Sequence, residues 1–143
     1  VGQIHKYSVK FYQELQEDLF GAVRANDCQN LDVIDTWANL AQEPFIAMAL
    51  RSSVRQATDQ AFLQAGVFVR PLYECGHLAT VGALLGRGLG VTALPQLTLR
   101  LLPEPDLLWT PLDAPITKRS VGFVTRPDRR SPTVEAMIRH LAA

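Results

Sequence analysis

The run from Glu74 to Pro95, ECGHLATVGALLGRGLGVTALP, constrains the fold more than any other part of the chain. It reads without a break as the end of a strand, an apolar helix, a glycine stop and a buried strand. Leu78, Val81, Ala83, Leu84 and Leu85 are so densely apolar that the helix is expected to be buried on most sides, packed against a sheet. Gly86, Gly88 and Gly90 then end it, one of them in the left-handed conformation that closes a helix without a Cβ clash. Leu89, Val91 and Leu94 restart as a short strand closed by Pro95. The G-x-G-x-G spacing follows a helix, whereas a dinucleotide fingerprint follows a strand and opens a helix, so nucleotide binding is rejected here.

Around this unit the chain alternates strands and helices, which implies an α/β sheet. Phe11 to Leu15 and Leu19 to Arg24 are expected as two strands separated by an acidic turn, Gln16-Glu17-Asp18, the second with the apolar density of a buried strand. Asp35 is the expected N-cap of a short helix to Leu40 with Trp37 facing inward, and Pro44 opens a strand from Phe45 to Leu50. Ser53-Val54-Arg55-Gln56 fits a capping box, in which the serine oxygen caps an early N–H and the glutamine reaches back. That helix should run to Ala65 and stop at Gly66. Val67 to Glu74 is the next strand, placed at an edge or made irregular by Pro71. Leu97, Leu99, Leu101 and Leu102 mark a helical segment ending before Pro103. Leu107 to Leu112 and Arg119 to Thr125 are strands, and Ser131-Pro132 caps a last helix with Val134, Met137, Ile138 and Leu141 on one face. Trp37 and Trp109 are most simply core.

Charge and cysteine content exclude several functions. Fourteen basic and fourteen acidic residues among 143 leave no basic footprint for phosphate binding over the chain as a whole. No apolar run reaches the roughly 18 residues of a membrane span, and the N-terminus does not resemble a signal peptide, which points to the cytoplasm and no membrane partner. Two cysteines, Cys28 and Cys75, are too few for a disulfide framework and read as reduced thiols.

The Glu74 to Pro95 run, taken with Pro44-Phe45-Ile46-Ala47-Met48 and the following Arg51-Ser52-Ser53-Val54-Arg55, resembles the effector-binding domain of LysR-type transcriptional regulators. The resemblance covers nearly the whole chain. Val1-Gly2-Gln3 matches the end of a strand that usually reads apolar-Gly-x, Leu19 to Arg24 the first crossover and Gly90 to Pro95 the second. It implies a fold similar to type 2 periplasmic binding proteins: two α/β lobes joined by crossover strands, with a small molecule between them. Residues 1–18 would be the remnant of the first lobe, 19–92 the second lobe with the crossovers, and 93–143 the C-terminal part of the first lobe. In the family, a winged helix-turn-helix, a linker helix and the start of the first lobe would precede Val1, so the first lobe is incomplete here.

The residues themselves nominate a site at Ser52 and Ser53. Unpaired N–H groups and the positive end of the dipole make a helix N-terminus an anion site, and the resemblance implies a carboxylate held there. The plainer alternative makes Ser53 only a cap and Ser52 a solvated hydroxyl. Arg51 and Arg55 could assist, although the surface is the favoured assignment for Arg55. His77, just before the next helix, either donates to an anion or caps the helix. Thr92 and Gln3 lie where the resemblance places the lobes nearest the ligand; each could instead hydrogen-bond within its own loop. Cys75 and His77 could be read as a thiol nucleophile with its base or as a metal pair, but neither Cys28, His5 nor His140 completes a ligand spacing. Cys75 is therefore read as structural, with no metal and no cofactor. Arg126, Arg129 and Arg130 form a solvated turn.

The reading that results is a non-enzymatic sensor. A small organic acid effector would shift the population of two lobe arrangements, a homo-oligomer would transmit the shift, and DNA would be contacted only through the N-terminal domain absent from this chain. The alternatives are a solute-binding protein of a transporter and a cysteine-dependent hydrolase built on Cys75 and His77.

Overall fold

The computed structural model describes residues 11–26, 33–126 and 131–143. Gln3, His5, Cys28, Arg129 and Arg130 lie outside them. By contacts the chain forms two compact units, Asp18–Arg119 and a smaller one made of the residues up to Glu17 and from Ser120 onward.

Five strands and three helices build the larger unit. The first strand, β1 (Phe11–Ala25), is continuous through Gln16-Glu17-Asp18 where the sequence suggested a turn. The acidic residues do not break it because Asp18 is needed inside. Its carboxylate accepts from the Leu97 N–H at 3.0 Å and pairs with the Arg119 guanidinium at 3.0 Å, with the Asp18 side chain only 1% exposed. Those donors offset the cost of burying the carboxylate, which a solvated turn would not have required.

After β1 come α1 (Trp37–Leu40), β2 (Ile46–Met48), α2 (Ser53–Gln64), β3 (Tyr73–Cys75), α3 (Leu78–Gly86), β4 (Thr92–Pro95), a 3₁₀ helix (Gln96–Leu101), β5 (Leu107–Pro111) and β6 (Lys118–Thr125). Strand β4 runs antiparallel to β1, with Phe20 opposite Pro95 and Val23 opposite Thr92, and β5 flanks the other side of β1. Strands β2 and β3 form a parallel pair. The two sheets are stitched by the Phe45–Val91 bridge and by the Ile46 N–H donating to the Val91 carbonyl at 2.8 Å. The segments expected as the two crossovers, Leu19 to Arg24 and Gly90 to Pro95, thus lie side by side. Because β4 and β5 both pair with β1, residues 93–119 group by contacts with 18–92.

Alternation along the strands sends side chains to opposite faces. Phe20, Ala22, Phe45, Ala47, Val91 and Ala93 pack under α1 and α2 with Trp37, Leu40, Ala61 and Phe62. Val23, Ile46, Cys75 and Leu94 pack on the other face with Val81 and Leu85 of α3 and with Leu102. Trp37, fully buried, meets Phe62 edge to face with ring centroids 5.1 Å apart, and its indole N–H donates to the Pro115 carbonyl at 2.8 Å. Trp109 is only half-buried; it lies over Gly21, where any side chain would collide with the indole.

Several element ends moved from their expected places. Thr36, not Asp35, caps α1: its hydroxyl accepts from the Asn39 N–H while Asp35 takes the Asn39 amide. Strand β2 ends at Met48 because Ala49 to Ser52 turn, the Ser52 N–H donating to the Ala49 carbonyl. Strand β3 is three residues rather than eight, and Pro71 lies before it, outside the ladder. Helix α3 is covered on one side only: Val81, Gly82 and Leu85 are buried while Ala79 and Thr80 face out. A single sheet face cannot enclose a helix. Gly66 closes α2 at φ 70° and Gly88 follows α3 at φ 67°, both in the left-handed region.

The smaller unit contains the start of β1, the end of β6 and α4 (Pro132–Ala142), with β6 pairing with β1. Ser131 caps α4 through the Val134 N–H with Pro132 in the first turn, as the sequence indicated. No residue of α4 is buried, and Met137 is 63% exposed.

Candidate functional site

The carboxyl end of the β2–β3 pair places two helix N-termini together. Met48 lies opposite Cys75 in the parallel register, and the Ala49 N–H donates to the Cys75 carbonyl at 2.9 Å. From this paired end the chain reaches α2 through Ala49-Leu50-Arg51-Ser52 and α3 through Gly76-His77. Ser52, Ser53 and His77 therefore share one edge of the sheet. Carboxyl ends of parallel strands are where open α/β sheets bind ligands, since helix N-termini and loops converge there.

Ser52, rather than Ser53, is the N-cap of α2. Its hydroxyl accepts from the Val54 N–H at 3.2 Å, its carbonyl accepts from Gln56, and its backbone is extended at φ −70°, ψ 137°. The cap shifts by one residue because the turn from Ala49 fixes Ser52 in that conformation. No box forms: the residue three beyond Ser52 is Arg55, whose side chain is engaged elsewhere. Ser53 is exposed at the first helical position. At α3, His77 is the N-cap but makes no side-chain cap hydrogen bond, and it is exposed, so of the two roles read for it the side-chain cap is not the one taken. Neither helix carries an acidic residue in its first turn. The positive ends of both dipoles are thus uncompensated from within their own helices, an arrangement worth about 0.3–1 kcal/mol to an anion at each exposed terminus.

Thr92 is not at this edge. It is 1% exposed on β4, level with Ile46, and its hydroxyl donates to the Ile46 carbonyl, not to its own loop. That bond joins the two sheets and uses the only hydroxyl proton, which leaves Thr92 as part of the framework beneath the site. Gln3 lies outside the described residues.

Arg55, assigned to the surface from sequence, is 9% exposed. Its Nε donates to both Asp59 oxygens at 2.9 and 3.1 Å, and its Nη1 donates to the Met48 carbonyl at 2.9 Å and to Glu74 at 3.0 Å. Burial lowers its proton affinity, the hydrogen bonds and charges of Glu74 and Asp59 raise it, and the net shift is upward. The Arg55–Asp59 spacing of four was visible in the sequence as a helix pair. The links to Met48 and Glu74 join residues 7 and 19 apart and had no local signal.

Cys75 is 8% exposed among Val81, Leu85 and Ile46. Burial, and then the charge of Glu74, push its thiol pKa up. A nucleophilic thiol is favoured by the reverse shift, so the surroundings of Cys75 do not support the hydrolase alternative. Among the described residues, no three His, Cys, Asp or Glu side chains form a group able to hold a metal ion, and no helix is long and apolar enough to cross a membrane.

The pattern of the whole chain matches known proteins. The HTH-type transcriptional regulator YbhD of Escherichia coli K12 is 30% identical over 100 residues, which are 69% of this chain and 32% of that protein. This chain therefore spans about a third of that relative's length. The regulatory domain of Synechocystis PCC6803 CcmR in complex with 2-PG superposes with a TM-score of 0.71 at 21% identity, covering 92% of this chain and 65% of that one. The effector-binding domain of QuiR in complex with shikimate gives 0.70 at 14% identity, covering 92% and 63%. These likenesses establish the type 2 periplasmic-binding-protein-like fold. The LysR substrate binding domain model matches residues 11–143, and the chain belongs to that family of regulatory domains.

Proposed function

We propose that the chain senses a small organic acid for a LysR-type transcriptional regulator, and that the acid binds where α2 and α3 begin. The observation that carries this reading is the pair of helix N-termini at the shared β2–β3 edge, with hydroxyls at Ser52 and Ser53 and no acidic side chain in either first turn. A carboxylate accepts from such N–H groups and from Ser53 or His77, and the dipoles favour its charge. CcmR with 2-PG and QuiR with shikimate support the class of ligand. Gln3 belongs to the ligand set that the family resemblance implies. Affinity that differs between two arrangements of the domain would then shift their population. In the intact regulator a homo-oligomer would carry that shift to DNA held by a helix-turn-helix domain, in the cytoplasm.

Thermal unfolding against a panel of carboxylic acids tests the proposal. A ligand that binds only the folded state stabilises it by about 2.7 kcal/mol at a hundred times its Kd, so one compound should raise the midpoint saturably. The variant Ser52→Ala with Ser53→Ala should weaken that compound more than it lowers stability. Unchanged affinity in the double variant removes the anion site.

A further inference from the structure

The structure assigns to Arg55 the role of a positioning residue for both helix N-termini at once. This deepens the proposed organic-acid site and rests on it for what the termini bind. One guanidinium, 9% exposed, reaches the last residue of β2 through the Met48 carbonyl and the middle of β3 through Glu74. Met48 leads directly into the turn that presents Ser52, and Glu74 is followed by Cys75, Gly76 and the His77 cap. Asp59, one turn further along α2, holds the Nε edge of the same guanidinium with both oxygens, which fixes the plane in which Nη1 points. The planar fork makes these bonds in fixed directions, so a shift of either strand end relative to α2 breaks at least one of them. The β2–β3 ladder is short, three paired residues, and a connection of only Gly76 precedes the His77 cap. Besides Arg55, the spacing of the two termini rests on that ladder, on the Ala49–Cys75 backbone bond and on apolar packing against Ile46 and Cys75. Arg55 touches no ligand in this scheme. Its bonded donors face protein acceptors, and the two carboxylates beside it outweigh its charge, so it does not act as the cation that attracts an anion.

Amide hydrogen exchange, read by peptide mass spectrometry on the protein as it stands, tests the assignment without any ligand. In Arg55→Met, exchange at residues 49–54 and 76–80 should both rise about tenfold through local opening while β4 keeps its protection. Thr58→Ala serves as the control, because Thr58 is buried on the same helix and its hydroxyl bonds the Arg55 carbonyl. It should lower stability without loosening those two segments. Glu74→Leu should loosen residues 76–80 and leave 49–54 held through Met48, and Glu74→Gln, which keeps an oxygen for Nη1, should restore protection. Should Arg55→Met fail to fold, the Glu74 pair carries the test. Wild-type exchange at both segments in Arg55→Met, or a rise that extends equally to β4, overturns the assignment. Titration with shikimate and with inorganic phosphate, read by the unfolding midpoint, separates this result from the site's use. An effect on exchange with binding weakened about tenfold in Arg55→Met supports both readings. The exchange effect with no wild-type binding to either probe upholds the position of Arg55 and counts against the organic-acid reading alone.

Discussion

Helices α2 and α3 begin at the same edge of the same parallel strand pair, yet the two starts are built differently. At α2 a four-residue turn delivers Ser52, whose hydroxyl caps the Val54 N–H, and Arg55 ties the first turn to both strands. At α3 a single glycine precedes His77, which caps with its backbone only and stands exposed. The contrast shows two ways to prepare an anion site. One start is fixed by its own side chains and has part of its donor set engaged; the other leaves its first N–H groups without a side-chain acceptor and takes its position from its neighbour. A ligand would complete the second more than the first.

Substitutions can break or sharpen this contrast. The largest effect is expected at Arg55. Arg55→Met removes four hydrogen bonds from a buried side chain, although Asp59 and Glu74, about half exposed, can recover water. A loss of about 2 kcal/mol in urea unfolding is expected, below the value for a fully buried pair. A loss under about 0.5 kcal/mol would mean the guanidinium does not anchor α2. Next comes the cap. Ser52→Ala should cost about 1 kcal/mol, and Ser53→Ala, at an exposed position that does not cap, should stay within about 0.5 kcal/mol of wild type. Equal losses would return the cap to Ser53.

A gain is expected at α3. His77 already has the extended backbone of a cap, φ −123° and ψ 134°, so His77→Ser should supply the missing side-chain acceptor and raise stability by about 0.5 kcal/mol. If the α3 donors are the ones a ligand uses, the same substitution should weaken effector binding as the new hydroxyl competes. The smallest effect concerns Cys75. Its folded pKa lies above the unfolded value, so the folded state holds the proton longer and full stability is present below the ordinary thiol range near pH 8.5. Stability should then decline as pH rises through that range toward the raised folded value, and Cys75→Ala should flatten the decline. Iodoacetamide should label the Cys75 peptide slowly in the native protein and rapidly in urea. Fast native labelling would place the thiol at the surface and reopen the nucleophile reading.

The local signals in the sequence carried much of the fold. The glycine stops after α2 and α3, the Ser131-Pro132 start of α4 and the buried strand ending at Pro95 all depend on neighbours within a few residues. The candidate edge was legible for the same reason: hydroxyls beside a helix start and a histidine beside another are short-range patterns. Asp18 and Arg55 were misplaced because a charged residue in sequence looks solvated until its partners are known. Those partners, Leu97 and Arg119 for Asp18, and Met48 and Glu74 for Arg55, come from other elements. The Thr92 hydroxyl bond was illegible in a related way, since its acceptor is 46 residues distant on another strand.

What the sequence determined by itself was the set of elements, their apolar faces and the family likeness, because periodicity, capping and turn chemistry act over one or two turns of chain. What only the tertiary structure decided was which polar side chains are buried, which serine caps, and which two helix starts meet. Those outcomes depend on strand pairing between distant segments, and a buried charge is tolerated only where folding has brought its partners to it.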